Sequence, residues 1–141
     1  MREILFKAKN VENGEWVEGC LVIDESRQNT FGYRIQLTES GNLFAYPVAP
    51  ETISQYTGIY DANGKRAFEN DLFKIYNVYV PVRYGRYQSS FESKVTKHVG
   101  FYVEWPEEIY FRRDLGYWIR RGFTVVGNVF DNPELLQEVP E

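Results

Sequence analysis

The sequence predicts an all-β protein with one short C-terminal helix, and three observations predict it. Apolar residues recur at alternate positions, and no long stretch repeats them at helical spacing. Aromatic residues make up 17% of the chain, and 11 residues are tyrosine; flat rings pack well on a pleated face. Turn-forming pairs such as Asn13-Gly14 and Asn63-Gly64 punctuate the alternating runs. A length of 141 residues suits one compact domain, or two small β units sharing a core.

Taken in order, Ile4, Phe6 and Ala8 alternate with Glu3, Lys7 and Lys9, and Asn13-Gly14 then turns the chain into Glu15–Ile23. That run carries apolar residues on both faces, Val17, Leu21 and Ile23 against Trp16, Cys20 and Val22, which predicts a strand covered on both sides. Tyr33–Leu37 and Asn42–Val48 form a further pair joined through Glu39–Asn42. Pro50–Ser54 suits a single helical turn. Asp71–Val82 reads as one long strand: Phe73 and Ile75 share a face, Val78, Val80 and Val82 share the other, and a bulge at Asn77 would reunite them. Pro81 puts the end of that strand at a sheet edge. Residues 85–94 are polar and read as an exposed loop. Val99, Phe101, Val103 and Trp105 alternate cleanly, followed by short strand candidates at Tyr110–Phe111, Tyr117–Ile119 and Thr124–Phe130. Asn132-Pro133-Glu134 begins a helix, with Asn132 as the capping residue.

Two phrases stand out, Gln55–Leu72 (a hairpin turned by Asp61-Ala62-Asn63-Gly64, then a second reversal at Glu69-Asn70-Asp71) and Val126–Leu136. Together they resemble the YopX family of phage and prophage proteins. The likeness extends to Arg2–Lys9, Trp16–Gly19 and Val48–Ile53. It implies an SH3-like small barrel over residues 56–141 and an associated β-rich part over residues 1–55. Asn70 stands where the family usually carries glycine, and asparagine is the non-glycine residue that best accepts a left-handed conformation. The resemblance implies a phage or prophage setting and the cytoplasm of a bacterial host. It implies no known chemistry.

The residues themselves point away from catalysis. Asp61-Ala62-Asn63-Gly64 places only two oxygen side chains before its glycine, too few for an EF-hand loop, and suits a hairpin turn. His98 is the one histidine and Cys20 the one cysteine, so neither an internal disulfide nor a zinc or iron site is expected. His98 beside Lys97 suits a surface or rim position. Cys20 has no basic neighbour to activate it. Glu107 and Glu108 point apart on an extended chain, and nothing singles out a distant pair such as Glu104 and Asp71. No phosphate-binding loop, nucleophile elbow or dinucleotide fingerprint is present. No cofactor or metal is expected, and no run approaches membrane-spanning length.

The net charge of −4 conceals a pattern. Residues 1–72 carry 7 basic against 11 acidic side chains, whereas residues 73–103 carry 5 against 1 and residues 109–130 carry 4 against 1. Arg83-Tyr84-Gly85-Arg86-Tyr87 interleaves guanidinium groups with rings, and Lys94 and Lys97 follow. Arginine forks suit phosphate and tyrosine rings stack on bases, so these residues, with Arg112, Arg113, Arg120 and Arg121, form a candidate nucleic-acid surface. Arginines on exposed strands also simply keep edges soluble. The aromatic excess favours a second expectation, protein–protein interaction or self-association through rings that one small core cannot hide. The expected function is that of a non-catalytic binding protein, with nucleic acid as the alternative partner.

Overall fold

The computed structural model describes residues 2–26, 32–38, 44–88, 97–106, 109 and 111–137. It is mostly β, with antiparallel pairing throughout, and divides into two compact units, Met1–Gly58 and Ile59–Glu141.

In the first unit the strands are β1 (Phe6–Lys9), β2 (Trp16–Ile23), β3 (Tyr33–Leu37), β4 (Ala45–Pro47) and β5 (Ser54–Tyr60), which runs on into the second unit. Their order across the sheet is β4-β3-β2-β1-β5. Gly14, at φ 73°, turns β1 into β2 and donates its N–H to the Asn10 carbonyl at 2.8 Å. Ala8, Ile35 and Val48 form the buried centre, packed by Phe6, Val17, Leu21, Tyr33 and Ile53. Along β2, Cys20 and Val22 are exposed on one face and Ile23 on the other, contrary to the expectation of a strand buried on both sides. Pro50–Thr52 forms the anticipated single turn, of 3-10 type.

The second unit starts with the hairpin from β5 to β6 (Arg66–Phe68), turned at Gly64 with φ 80°. The remaining strands are β7 (Asp71–Ile75), β8 (Val78–Tyr87), β9 (His98–Val103) and β10 (Val125–Asn128), ordered β10-β7-β8-β9. These pairings do not close into a barrel among the described residues. The core comprises Phe73, Ile75, Val78, Val80, Val82, Val103, Trp105, Leu115 and Trp118, with Ala67.

Several sequence expectations need correction here. Asp71–Val82 is not one bulged strand. The chain reverses at Tyr76-Asn77, both at positive φ (51° and 72°), so β7 and β8 form a two-residue hairpin with Ile75 opposite Val78. The reversal places Phe73, Ile75, Val78, Val80 and Val82 in one core, as the bulge would have done. Pro81 does not mark an edge. It sits where β8 changes partners, β7 pairing with Val78–Pro81 and β9 with Val82–Tyr87. Residues 85–87 belong to β8 and are not a loop, because Gly85, Arg86 and Tyr87 pair with Gly100, Val99 and His98. Residues 89–94 of that expected loop lie outside the described residues, as does Tyr110; Phe111 belongs to no strand.

Tyr117–Ile119 is helical, within α1 (Leu115–Arg120). The segment is too short for its composition to show a helical period, and burial of Leu115 and Trp118, three residues apart, holds the turn. The indole N–H groups of Trp105 and Trp118 both donate to the Arg112 carbonyl, at 2.9 and 2.6 Å. Thr124–Phe130 is strand only over β10, with a turn following. The closing helix, Pro133–Gln137, is of 3-10 type, and the Asn132 side chain accepts the Asn128 N–H at 3.2 Å.

A candidate interaction surface on the β8–β9 ribbon

Beyond Val82 and Val103, strands β8 and β9 continue as a two-stranded ribbon with a regular register, Arg83 opposite Tyr102, Tyr84 opposite Phe101, Gly85 opposite Gly100, Arg86 opposite Val99 and Tyr87 opposite His98. Strand alternation divides these side chains between two faces. Arg83, Tyr87, His98 and Tyr102 share one, where the Tyr87 ring stacks on His98 at 5.0 Å and on Tyr102 at 5.2 Å. Tyr84, Arg86, Val99 and Phe101 share the other, where Tyr84 meets Phe101 edge-on at 5.0 Å. Tyr84 is 57% and Val99 66% exposed. Together with Phe101 they give this face of the ribbon an exposed apolar and aromatic character.

The candidate basic residues fall into separate sets. Arg83 donates to the Asn70 side-chain oxygen at 2.6 Å and lies 3.7 Å from the Glu104 carboxylate. Arg112 pairs with Asp114 at 2.6 Å, and its guanidinium lies 4.5 Å from the Tyr117 ring centre. Arg121 lies 4.9 Å from that same ring. Arg113 is half-buried, and its carbonyl accepts the Val103 N–H. Arg120 is exposed in the last turn of α1. Lys94 is outside the described residues. Arg86 and Lys97 are exposed and, with Tyr87 and Gln88, line a shallow hollow of about 250 Å³.

Tyr102, Val99 and Phe101 were missed as members of this surface. The signal was available: the clean alternation of β9 is matched residue for residue by Arg83–Tyr87 once that segment is taken as a strand. A second exposed aromatic area surrounds the β7–β8 turn, where Tyr76, 58% exposed, packs edge-on against Phe111, Trp118 and Phe123. The buried carboxylates hold backbone N–H groups. Asp61 accepts the Asn63, Lys65 and Val125 N–H groups, each at 2.9 Å, and Asp71 accepts the Phe68 N–H at 2.8 Å. Among the described residues no three of His, Cys, Asp or Glu are grouped to hold a metal. No described helix is long and apolar enough to cross a membrane.

A family model described as "YopX protein" matches residues 5–137, nearly the whole chain. Among solved structures the chain is similar to the crystal structure of protein EF1440 from Enterococcus faecalis, at 22% identity and a TM-score of 0.55. That match covers 96% of this chain and 99% of the other, a likeness of fold. No curated protein matches.

Proposed function

The chain belongs to the YopX protein family, and from that premise we propose that it is a non-catalytic, phage- or prophage-encoded binding protein of the bacterial cytoplasm whose partner is protein, self-association first. The observation that carries this reading is the β8–β9 ribbon: a two-stranded extension beyond the core that presents Tyr84 and Val99 largely uncovered. A two-stranded extension has no third strand to support it, and exposed apolar groups on it favour a covering partner. The exposed rings around Tyr76 and Phe111 add a second adhesive area. Sedimentation equilibrium over a hundredfold concentration range tests the reading. The weight-average mass is expected to rise above that of a single chain. A single-chain mass throughout, with no partner captured by crosslinking in host cells, overturns it.

A second reading, nucleic-acid binding, is favoured by the hollow between Arg86, Tyr87, Gln88 and Lys97, where two exposed cations flank a ring. It is weakened by the carboxylates beside Arg83 and Arg112, which already neutralise part of the charge a phosphate would need.

A further inference from the structure

Arg83-Tyr84-Gly85-Arg86-Tyr87 has a property that its composition hides. Read antiparallel to itself about Gly85, every arginine faces a tyrosine: Arg83 meets Tyr87, Tyr84 meets Arg86, and Gly85 meets Gly85. Cross-strand opposition of this kind brings Cβ atoms within about 4.5–5.5 Å, close enough for a guanidinium to reach over the facing ring.

The backbone of this segment is placed to use that complementarity. The Val82 carbonyl accepts the Asn70 N–H on the side of β8 away from β9. By alternation, the N–H and C=O groups of Tyr84 and Arg86 face that same side. Strand β7 pairs with β8 only as far as Pro81, and no other strand lies against that edge among the described residues. Among the described residues this edge of β8 is therefore open beyond Val82, and its outward hydrogen-bonding residues are Tyr84 and Arg86. Antiparallel pairing with a second copy would join Tyr84 to Arg86 twice, with Gly85 at the two-fold axis, where the absence of side chains lets the backbones meet. The contact is isologous, each residue meeting its counterpart in both directions, as a closed two-fold dimer requires.

We propose that the open edge of β8 pairs with the same edge of a second copy of this chain, joining two ribbons into one four-stranded sheet. The occupant is set by chemistry: an arginine–tyrosine ladder complements itself, and a strand lacking that reversal symmetry would set arginine against whatever it carried. Tyr84–Arg86 contacts line one face of the joint; on the other, Arg83 and Tyr87 are already held within the chain, by Asn70 and by His98 and Tyr102. The proposal rests on the self-association reading above and adds its surface, register and symmetry.

The test exchanges residues within the ladder on the full chain, with association followed by sedimentation equilibrium and folding by circular dichroism. Tyr84→Arg sets arginine against Arg86 at both symmetry-related positions and is expected to weaken dimerisation about tenfold or more. The double change Tyr84→Arg with Arg86→Tyr restores arginine opposite tyrosine and is expected to restore dimerisation. Both positions are exposed, so each variant is expected to fold. Association of Tyr84→Arg equal to that of the native chain overturns edge pairing while leaving self-association through another surface in place. Failure of the double change to rescue overturns the register. A native chain that stays a single copy at every concentration overturns both the pairing and the self-association on which it rests.

Discussion

Asn70 holds φ 71° at the reversal into β7, where a residue with a Cβ pays about 1–2 kcal/mol unless it is glycine or has a short polar side chain. It does more than tolerate that angle: its N–H donates to the Val82 carbonyl, its carbonyl accepts the Val129 N–H, and its side chain accepts from Arg83. Asn70→Ala is expected to lower stability by roughly 1–3 kcal/mol, the left-handed strain adding to the lost side-chain bond. Asn70→Gly, which relieves the strain while losing the same bond, is expected to stay within about 1 kcal/mol of the native chain. Chemical denaturation of the two variants checks the difference, and equal losses would show that the backbone angle is not what asparagine supplies. Asp61 is a comparable single-residue device, one buried carboxylate holding three backbone N–H groups.

Among the elements, the β2–β3 pairing depends on one close approach. Gly19 lies opposite Leu37, and a Cβ built on it would fall 2.0 Å from the Gln36 carbonyl oxygen. Backbone cannot yield as a flexible side chain can, so Gly19→Ala is expected to force β2 and β3 apart locally. A loss of about 2–4 kcal/mol is expected, with faster amide exchange along Cys20–Ile23. Unchanged exchange there would sink this account. The β7–β8 hairpin shows the opposite case, an element whose turn residues are poorly suited to it. A tyrosine at φ 51° is unfavourable, and the edge-on contacts of Tyr76 with Phe111, Trp118 and Phe123 offset that strain. This is why the turn was not legible locally: Tyr76-Asn77 lacks the glycine of the usual signal, and its stabilising partners lie more than 30 residues along the chain. Helix α1 was hidden for a related reason, since six residues with a glycine and two aromatics carry no helical period of their own.

At the scale of the whole molecule, charge sets the terms on which nucleic acid could be a partner. The chain carries −4 overall while its basic residues are concentrated in 73–103 and 109–130, so any nucleic-acid affinity must come from local patches working against the rest. If the Arg86–Lys97 hollow binds nucleic acid, anisotropy titration should show single-stranded DNA or RNA affinity falling about tenfold or more from low to near-physiological salt, and Arg86→Ala should flatten that slope. Absence of binding at low salt would end the nucleic-acid reading without touching edge pairing, because Tyr84 and Arg86 would still complement one another.

By itself the sequence determined the β class, the turns at Gly14 and Gly64, the common inward face of Phe73, Ile75, Val78, Val80 and Val82, and the Arg–Tyr alternation of 83–87. Each of these follows from sterics or periodicity within a few residues, which any stretch of chain carries with it. Only the tertiary structure decided that the chain reverses at Tyr76-Asn77, that 115–120 coils, that Arg83 and Arg112 sit beside Glu104 and Asp114, and that the Arg83–Tyr87 segment is a strand paired with β9. Those outcomes turn on which distant residues become neighbours, and burial and pairing register settle that across the whole sheet.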